Sequence, residues 1–240
     1  MAIRGRCLDS TTMQVDIWSD IACPWCYIGK RRFEQALERF EHRDEVRVTW
    51  RSFELDPEAP TERTDDLATH LAAKYGISVD QARASQEQLV QTAAAEGLDF
   101  RFDIARSGLT FDGHRIIHLA AEHELADEMK ERLLRAYFTE GRLISDHDAL
   151  VAMAVEVGVP EHEAREVLAG DRFSDEVRAD EAIAQRLGIS AVPTFVVNRR
   201  LAIAGANPPD QLLSLLRQGW EQRPELAAVD EGAACGPDGC

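Results

Sequence analysis

The chain has 240 residues, of which 45% are hydrophobic and 29% are charged, a composition typical of folded globular proteins and unlike that of disordered or fibrous chains. Its formal net charge is −16 at pH 7, so nucleic acids and anionic membranes are not expected partners, because both bind to clustered cationic side chains. At roughly 150 residues per domain, the length fits one large domain or one domain with an insertion.

The first twelve residues show neither strand nor helix periodicity, and they contain no apolar segment like that of a secretory signal. We therefore expect residues 1–12 to form a flexible N-terminal arm, with Met13 as an alternative start of the chain. The same pattern predicts a cytoplasmic protein, and no apolar run approaches the roughly 20 residues that span a bilayer.

The next segments alternate between strand and helix patterns. Residues 14–19 favour a buried strand, and Pro24 suits the first turn of a helix, since its missing N–H costs nothing there. Apolar residues then recur at helical spacing to about residue 42, and residues 46–51 alternate like a second strand. This order predicts two parallel strands joined by a right-handed crossover.

Strand patterns nearly vanish over residues 57–187, which predict an all-helical insertion. The expected helices span 65–75, 80–96, 113–124, 127–139, 146–157, 161–168 and 174–187, and Asp112 is the expected N-cap of the third. Strands return within 189–198 and at 201–205, with residues 198–200 as a hairpin turn. Asn207 is the expected cap of a final helix that Pro208 and Pro209 open.

The predicted fold is therefore α/β, with one domain built from 13–56 and 188–220 and interrupted by the insertion. Residues 221–240 are rich in proline, glycine, alanine and acidic side chains and predict a flexible tail.

A Cys-Pro-Trp-Cys sequence lies where the first strand turns into the first helix. Unpaired amides and the helix dipole favour a thiolate at a helix N-terminus, so Cys23 is predicted to have a lowered pKa and to attack, while Cys26 resolves. Pro24 and Trp25 add no charge. The cations Lys30, Arg31 and Arg32 begin farther along the helix and are expected to form a solvated face.

Metal binding is the alternative interpretation of these cysteines. Half of a structural zinc site at Cys23 and Cys26 would need two further ligands, which Cys235 and Cys240 supply in number but not at a favourable spacing. His114 and His118 are four residues apart on one predicted helix, yet no third ligand is evident. No metal is therefore predicted, and packing or surface roles are expected for both histidines.

Residues 15–20 and 23–30, the segment 110–115 and the segment 188–195 together resemble the DsbA-like thioredoxin superfamily, most closely its cytosolic FrnE-like branch. The resemblance covers Met13 to about Trp220. It implies a thioredoxin-like fold with a large helical insertion and a thiol-disulfide oxidoreductase or disulfide isomerase. The resemblance further implies that a redox-active disulfide serves in place of a cofactor and that glutathione is a candidate co-substrate.

The resemblance also implies a cis peptide bond between Val192 and Pro193, packed beside the cysteine pair. Because proline has no N–H, the Val192 backbone is left to pair with an extended substrate segment. The implied catalytic residues are Cys23, Cys26 and Pro193. The expected substrate contacts come from the residues within and beside these two motifs, Pro24, Trp25, Val192 and Thr194. His114 is a further candidate, because it is expected to line the cleft between the thioredoxin-like part and the insertion.

The chain departs from the superfamily pattern at one position. Many members carry a buried acid six residues before the first cysteine, where this chain has Ile17. Asp16 and Asp20 are the two alternatives as proton acceptor for Cys26, and Asp20 fits a turn or capping role equally well.

Cys235 and Cys240 form a second pair across a turn-forming segment. The linker from Trp220 could span roughly 20 Å, so one hypothesis is a relay in which Cys235 exchanges disulfides with Cys23. The alternative is a tail with incidental cysteines, and Cys7 is expected to have no role.

Two other functions stay open. Kappa glutathione transferases and 2-hydroxychromene-2-carboxylate isomerases have a similar architecture, so a glutathione-dependent small-molecule enzyme is one alternative, although these usually carry serine at the position of Cys23. A chaperone-like binding module is the other. The expected partners are protein disulfides or small thiols, the chain is either a monomer or a homodimer, and a reducing cytosol favours reduction or isomerisation.

Overall fold

The computed structural model describes residues 12–223. Four strands form one sheet: β1 (Met13–Ser19), β2 (Val46–Ser52), β3 (Thr194–Val197) and β4 (Leu201–Ala204), in the order β2-β1-β3-β4. Strand β2 runs parallel to β1, and β3 is antiparallel to both β1 and β4. The predicted parallel pair and the hairpin are therefore confirmed.

Helix α1 (Pro24–Glu38) connects β1 to β2 through a short 3-10 turn at Arg43–Glu45, and α9 (Pro209–Glu221) follows β4. The chain between β2 and β3 is helical, as predicted. Its helices are α2 (Leu67–Tyr75), α3 (Val79–Ala95), α4 (Phe111–Glu122), α5 (Ala126–Phe138), α6 (His147–Glu156), α7 (Glu161–Ala169) and α8 (Ser174–Arg186). Within residues 12–223, no helix is both long and apolar enough to cross a membrane.

Two predicted helix caps are wrong. Helix α4 begins after Thr110, so Asp112 lies in its first turn, and the Asp112 carboxylate binds Arg115 and His147 instead. The Asn207 side chain donates to the carbonyl of Ala204 at 2.8 Å, and α9 begins only after Pro208. Helix α1 also ends four residues earlier than predicted, at Glu38.

The sheet and most of the insertion share one apolar core. Ile17 and Phe195 pair across β1 and β3, and the Phe33 ring of α1 stacks on Phe195 at 5.4 Å between centroids. The same core continues into α5 through Leu133 and Leu134, which are completely buried. The insertion is thus packed directly onto the sheet.

Helix α2 and the first part of α3 are an exception, because they contact one another through a separate small cluster, while Ala93 near the end of α3 belongs to the main core. The buried members of the small cluster are Ala68, Ala72 and Ala82, which contribute little apolar area. Local capping supports both helices: the Asp66 side chain accepts the Thr69 amide, and Ser78 and Gln81 form a reciprocal capping box.

Candidate active site

Cys23 and Cys26 occupy the turn from β1 into α1, as predicted. Cys23 is the N-cap of the helix, Pro24 fills its first position, and the Cys26 amide donates to the Cys23 carbonyl at 3.0 Å. Both cysteines are buried free thiols. The Cys23 thiol donates to the Val192 carbonyl oxygen, with 3.6 Å between the two atoms.

The segment before β3 closes the site from the other side. The Val192–Pro193 peptide bond is cis, as the resemblance implied. The Pro193 carbonyl accepts the Gly205 amide at 2.7 Å, which fixes this segment against the end of β4. Gly29 of α1 lies directly below it, since a Cβ atom there would be 2.7 Å from Pro193 Cγ.

The two thiols interact strongly with each other, and this interaction sets their protonation. Burial alone would raise the pKa of Cys26, but the interaction with Cys23, the charge of Lys130 and the nearby Ser19 hold it below its ordinary value. The interaction with Cys26 and burial together raise the pKa of Cys23, and this outweighs the opposing effect of the Cys26 amide. The lowered pKa predicted for Cys23 is therefore found at Cys26 in the reduced pair.

This result does not remove Cys23 as the attacking sulfur. Two strongly interacting thiols titrate as one unit, so moving the shared proton from Cys23 to Cys26 leaves the negative charge on Cys23. Cys23 lines the large cavity described below, whereas Cys26 does not.

The two candidate acids are now distinguished. Asp16 is held within β1 by an ion pair with Arg51 at 2.7 Å. Asp20 lies beside the cysteine pair and accepts the Leu55 amide at 2.8 Å and the Ala22 amide at 3.3 Å. Burial would raise the pKa of Asp20, but His114, the Leu55 amide and Lys130 lower it. Asp20 is therefore both a turn residue and a buried negative charge near the site.

His114 lies behind the site. Its side chain is 2% exposed, and its Nε2 is 3.5 Å from Asp20 Oδ1, too long for a strong hydrogen bond. Burial lowers the pKa of His114, and the residue does not line the cavity. The prediction that His114 contacts substrate is therefore corrected: it can act on the site only through Asp20.

Of the other candidate residues from the sequence, some line the cavity and others do not. Pro24, Trp25 and Val192 line the cavity. Thr194 does not, because it is buried and its hydroxyl donates to the Ala191 carbonyl at 2.7 Å. His118 contacts Ser52 and Asp180, and residues 12–223 contain no group of three or more side chains able to hold a metal. Cys7, Cys235 and Cys240 lie outside the described residues, so the relay stays a prediction.

The expected solvated face at 30–32 is wrong. Lys30 is 2% exposed and contacts three carboxylates, those of Glu34, Asp127 and Glu131. Arg31 also binds Glu131, and Arg32 binds Glu96. These cations connect α1 to the insertion, whose acidic partners lie far away in sequence.

Lys130 is a buried charge that the sequence analysis missed. It lies on α5, and its Nζ donates to the Ser19 carbonyl at 3.1 Å. A signal was present in the sequence: Ala126, Lys130, Leu133 and Tyr137 recur at helical spacing on one face, so the lysine falls within an apolar stripe.

A cavity of about 540 Å³ opens beside Cys23, between the cysteine turn and helices α2 and α3. Four large apolar side chains on its wall are exposed: Trp25 (44%), Leu55 (42%), Tyr75 (64%) and Ile77 (38%). We call these four residues the apolar rim. Three basic side chains, Arg63, His70 and Lys74, also line the cavity. Apart from Trp25, none of these residues was a sequence candidate.

Comparison with known proteins gives one family. Residues 14–217 match the model of the DSBA-like thioredoxin domain. The Bacillus subtilis protein YwbO is 28% identical over 199 residues, which are 78% of this chain and 87% of YwbO.

Solved structures agree with this result. A probable DsbA oxidoreductase from Streptomyces coelicolor is 46% identical, with a TM-score of 0.85 over 95% of this chain and 98% of that one. The cytosolic disulfide reductase DsbM from Pseudomonas aeruginosa, solved with GSH, is 18% identical and shares the fold, with a TM-score of 0.62 over 87% of this chain and 99% of DsbM. The expected thioredoxin-like fold with a helical insertion is confirmed, whereas the FrnE-like branch stays a prediction. The chain belongs to the DSBA-like thioredoxin domain family.

Proposed function

We propose that this chain is a cytoplasmic thiol-disulfide oxidoreductase that reduces or isomerises disulfides in proteins. One observation carries the proposal: Cys23 lies on the cavity wall with its thiol beside the Val192 carbonyl, while Cys26, one turn farther along α1, is absent from that wall. An incoming disulfide can therefore reach Cys23 first. The name of the Pseudomonas aeruginosa relative, a cytosolic disulfide reductase, supports the compartment.

The reaction follows from this arrangement. The Cys23 thiolate attacks one sulfur of the substrate disulfide, and that S–S bond breaks as a mixed disulfide forms. The leaving substrate sulfur takes a proton. The Cys26 thiol then loses its proton and attacks Cys23, which releases the second substrate sulfur and leaves a Cys23–Cys26 disulfide. The substrate gains two electrons and two protons, and the dithiol loses them. In isomerisation, another substrate thiol attacks the mixed disulfide before Cys26 does.

The apolar rim favours a polypeptide substrate. Large exposed apolar side chains clustered around an opening are typical of binding surfaces rather than of ordinary solvated surface. The Val192 backbone borders the same opening, where an extended segment can pair with it.

The decisive experiment compares the reduced wild type with Cys23→Ser and Cys26→Ser, using insulin reduction and reactivation of scrambled ribonuclease. We expect Cys23→Ser to lose both activities, because the attacking sulfur is gone. We expect Cys26→Ser to accumulate mixed disulfides, which mass spectrometry of trapped peptides identifies, Cys235 included. Cys235→Ser serves as the matched control. Full activity in Cys23→Ser would refute the proposal.

A second candidate is an enzyme for small acidic thiols such as glutathione. It is favoured by the basic wall of the cavity, where Lys74 forms no ion pair with a carboxylate of residues 12–223. Arg63, by contrast, is bound to Asp56. Glutathione-dependent isomerisation of a small substrate that survives Cys26→Ala would select this candidate, whereas turnover of insulin alone would select the first.

A further inference from the structure

Lys130 is a fully buried cation that nothing in the proposed reaction has yet used. It lies in the middle of α5, is 1% exposed and ranks among the largest completely buried side chains. Its Nζ donates to the Ser19 carbonyl at 3.1 Å and lies 5.7 Å from the centre of the Trp50 ring. Among residues 12–223, no carboxylate comes within 4.0 Å of it, in contrast to Lys30.

The segment of Ser19 and Asp20 connects Lys130 to the cysteine pair. Lys130 binds the carbonyl of Ser19, and both Ser19 and Lys130 help to lower the pKa of Cys26. The Ser19 hydroxyl is buried and has no hydrogen-bond partner among the described residues. Like Cys26, neither Ser19 nor Lys130 lines the cavity, so a cation and an unpaired hydroxyl lie near Cys26 away from the cavity wall.

The charged and titratable groups that act on Lys130 lie on the cysteine turn, α1, the preceding loop and α4. Cys23, Cys26 and Lys30 belong to the cysteine turn and α1, Asp20 to the preceding loop and His114 to α4. Burial lowers the pKa of Lys130 to about 8, and negative charge on Cys26, Asp20 and Cys23 opposes that decrease. The ammonium is therefore stabilised chiefly when a thiolate or carboxylate lies near it.

We propose that Lys130 is a positioning residue for the second step, in which its ammonium stabilises the thiolate that Cys26 must form before it attacks the mixed disulfide. The inference rests on the proposed disulfide exchange but not on the identity of the substrate. The position of the buried acid in many superfamily members is the uncharged Ile17 here, and the buried cation near the cysteines belongs to the helical insertion.

The change of charge on Cys26 makes the effect of Lys130 specific to the step that resolves the mixed disulfide. When Cys23 is in a mixed disulfide, it can no longer share a proton with Cys26. Cys26 must then release its proton to solvent or to the leaving sulfur, and its electron pair forms the bond to Cys23. When the internal disulfide is complete, the negative charge on Cys26 has disappeared while that on Asp20 remains, and the pKa of Lys130 falls.

The test uses the full-length chain with Cys7, Cys235 and Cys240 replaced by serine, so that only Cys23 and Cys26 react, and 5,5′-dithiobis(2-nitrobenzoic acid) in stopped flow. The first release of thionitrobenzoate reports attack by Cys23, and the second reports resolution by Cys26. Lys130→Met removes the charge and keeps the length of the side chain. Arg132→Met is the matched control: it removes a nearly buried cation from the same helix, one that binds Glu140 and Glu156.

We expect Lys130→Met to slow the second release about tenfold at pH 7, because the thiolate fraction falls tenfold when the pKa of Cys26 rises by about one. The difference should vanish at high pH, and Arg132→Met should follow the triple-serine parent. An unchanged pH profile, or an equal loss at every pH, would overturn the inference. Absence of the first release in that parent would instead refute the proposed function.

A second measurement needs no variant. NMR titration of lysine labelled at Cε, in the reduced and the oxidised wild type, follows the Lys130 ammonium directly. We expect its pKa to be higher in the reduced protein, since only that state holds the Cys26 thiolate. The same pKa in both states would overturn the inference even if Lys130→Met failed to fold.

Discussion

Cys23 and Cys26 carry the same thiol, and their different roles come from what each one faces. Cys23 faces the cavity and the Val192 carbonyl, while Cys26 faces Ser19 and Lys130. The Cys-x-x-Cys spacing alone predicted the pair and its order of reaction. It could not predict the protonation, because the charge that acts on Cys26 comes from a helix more than a hundred residues away.

Glu54 gives the molecule a pH dependence that is separate from the cysteines. Its carboxylate is buried beside the rim residue Leu55, contacts Arg178 at 2.7 Å and has one oxygen without a partner among the described residues. Burial raises the pKa of Glu54 from 4.5 to about 7; Arg178 opposes this increase and Glu181 adds to it. Since the folded state binds this proton more tightly, its contribution to stability is complete below pH 4.5 and is lost as pH rises through 7.

Glu54→Gln should remove the loss of stability that the wild type shows as pH rises through 7. We expect the variant to be more stable than the wild type by about 1 to 3 kcal/mol at pH 8 and nearly equal to it at pH 4.5. Urea unfolding at both pH values measures the difference, and the exposed Glu58→Gln is the control. A wild-type pH dependence in Glu54→Gln would show that another group is responsible.

At the scale of elements, the site depends on close contact between α1 and the Pro193 segment. Gly29 permits this contact, because any larger side chain would meet the proline ring. The approach aligns the start of α1 with the Val192 carbonyl and so brings Cys23 against it. The cysteine motif and the proline motif can therefore approach each other because Gly29, where α1 meets Pro193, has no side chain.

Gly29→Ala tests this dependence. A Cβ atom at 2.7 Å from Pro193 Cγ must displace the helix or the proline segment, and we expect a loss of about 1 to 3 kcal/mol in the free energy of unfolding. We also expect slower insulin reduction. Urea unfolding and insulin turnover are the measurements, with Glu38→Ala on the exposed face of α1 as the control. Retention of both properties would contradict the close contact.

Element order and type were largely predictable, because apolar periodicity and strand alternation are local properties. Two of the errors arose where a side chain had a partner distant in sequence. Asp112 binds His147 rather than capping α4, and Lys30 binds Asp127 and Glu131 rather than water. Only the fold determines such partners.

At the scale of the whole molecule, the cavity lies at the junction of the sheet domain and the insertion. Its wall combines the cysteine turn, the segment before β3 and helices α2 and α3. Sequence analysis identified the reactive wall through its two motifs. It missed the opposite wall, because Tyr75 and Lys74 are unremarkable at the end of a short helix until the fold brings them near Cys23.

The apolar rim should distinguish large from small substrates. We expect the double variant Tyr75→Ser and Ile77→Ser to lower kcat/KM for insulin about tenfold, since burying one large apolar side chain is worth about 1.5 to 3 kcal/mol. Reduction of glutathione disulfide should change less than twofold. Val155→Ser is the control, because it also replaces an exposed apolar side chain by serine but at a position that does not line the cavity. Equal losses for both substrates would argue against a polypeptide contact at the rim.

The alanine contact between α2 and α3 has a consequence for the range of substrates. Both helices contribute to the outer wall of the cavity, but α3 is also anchored to the main core by Ala93, whereas the buried residues of α2, Ala68 and Ala72, belong to the small alanine cluster. Segments with so little buried area separate from the rest of a fold at lower cost than the central core. We therefore expect the part of the wall formed by α2 to open more readily than the rest of the fold, which would let substrates of different bulk reach Cys23.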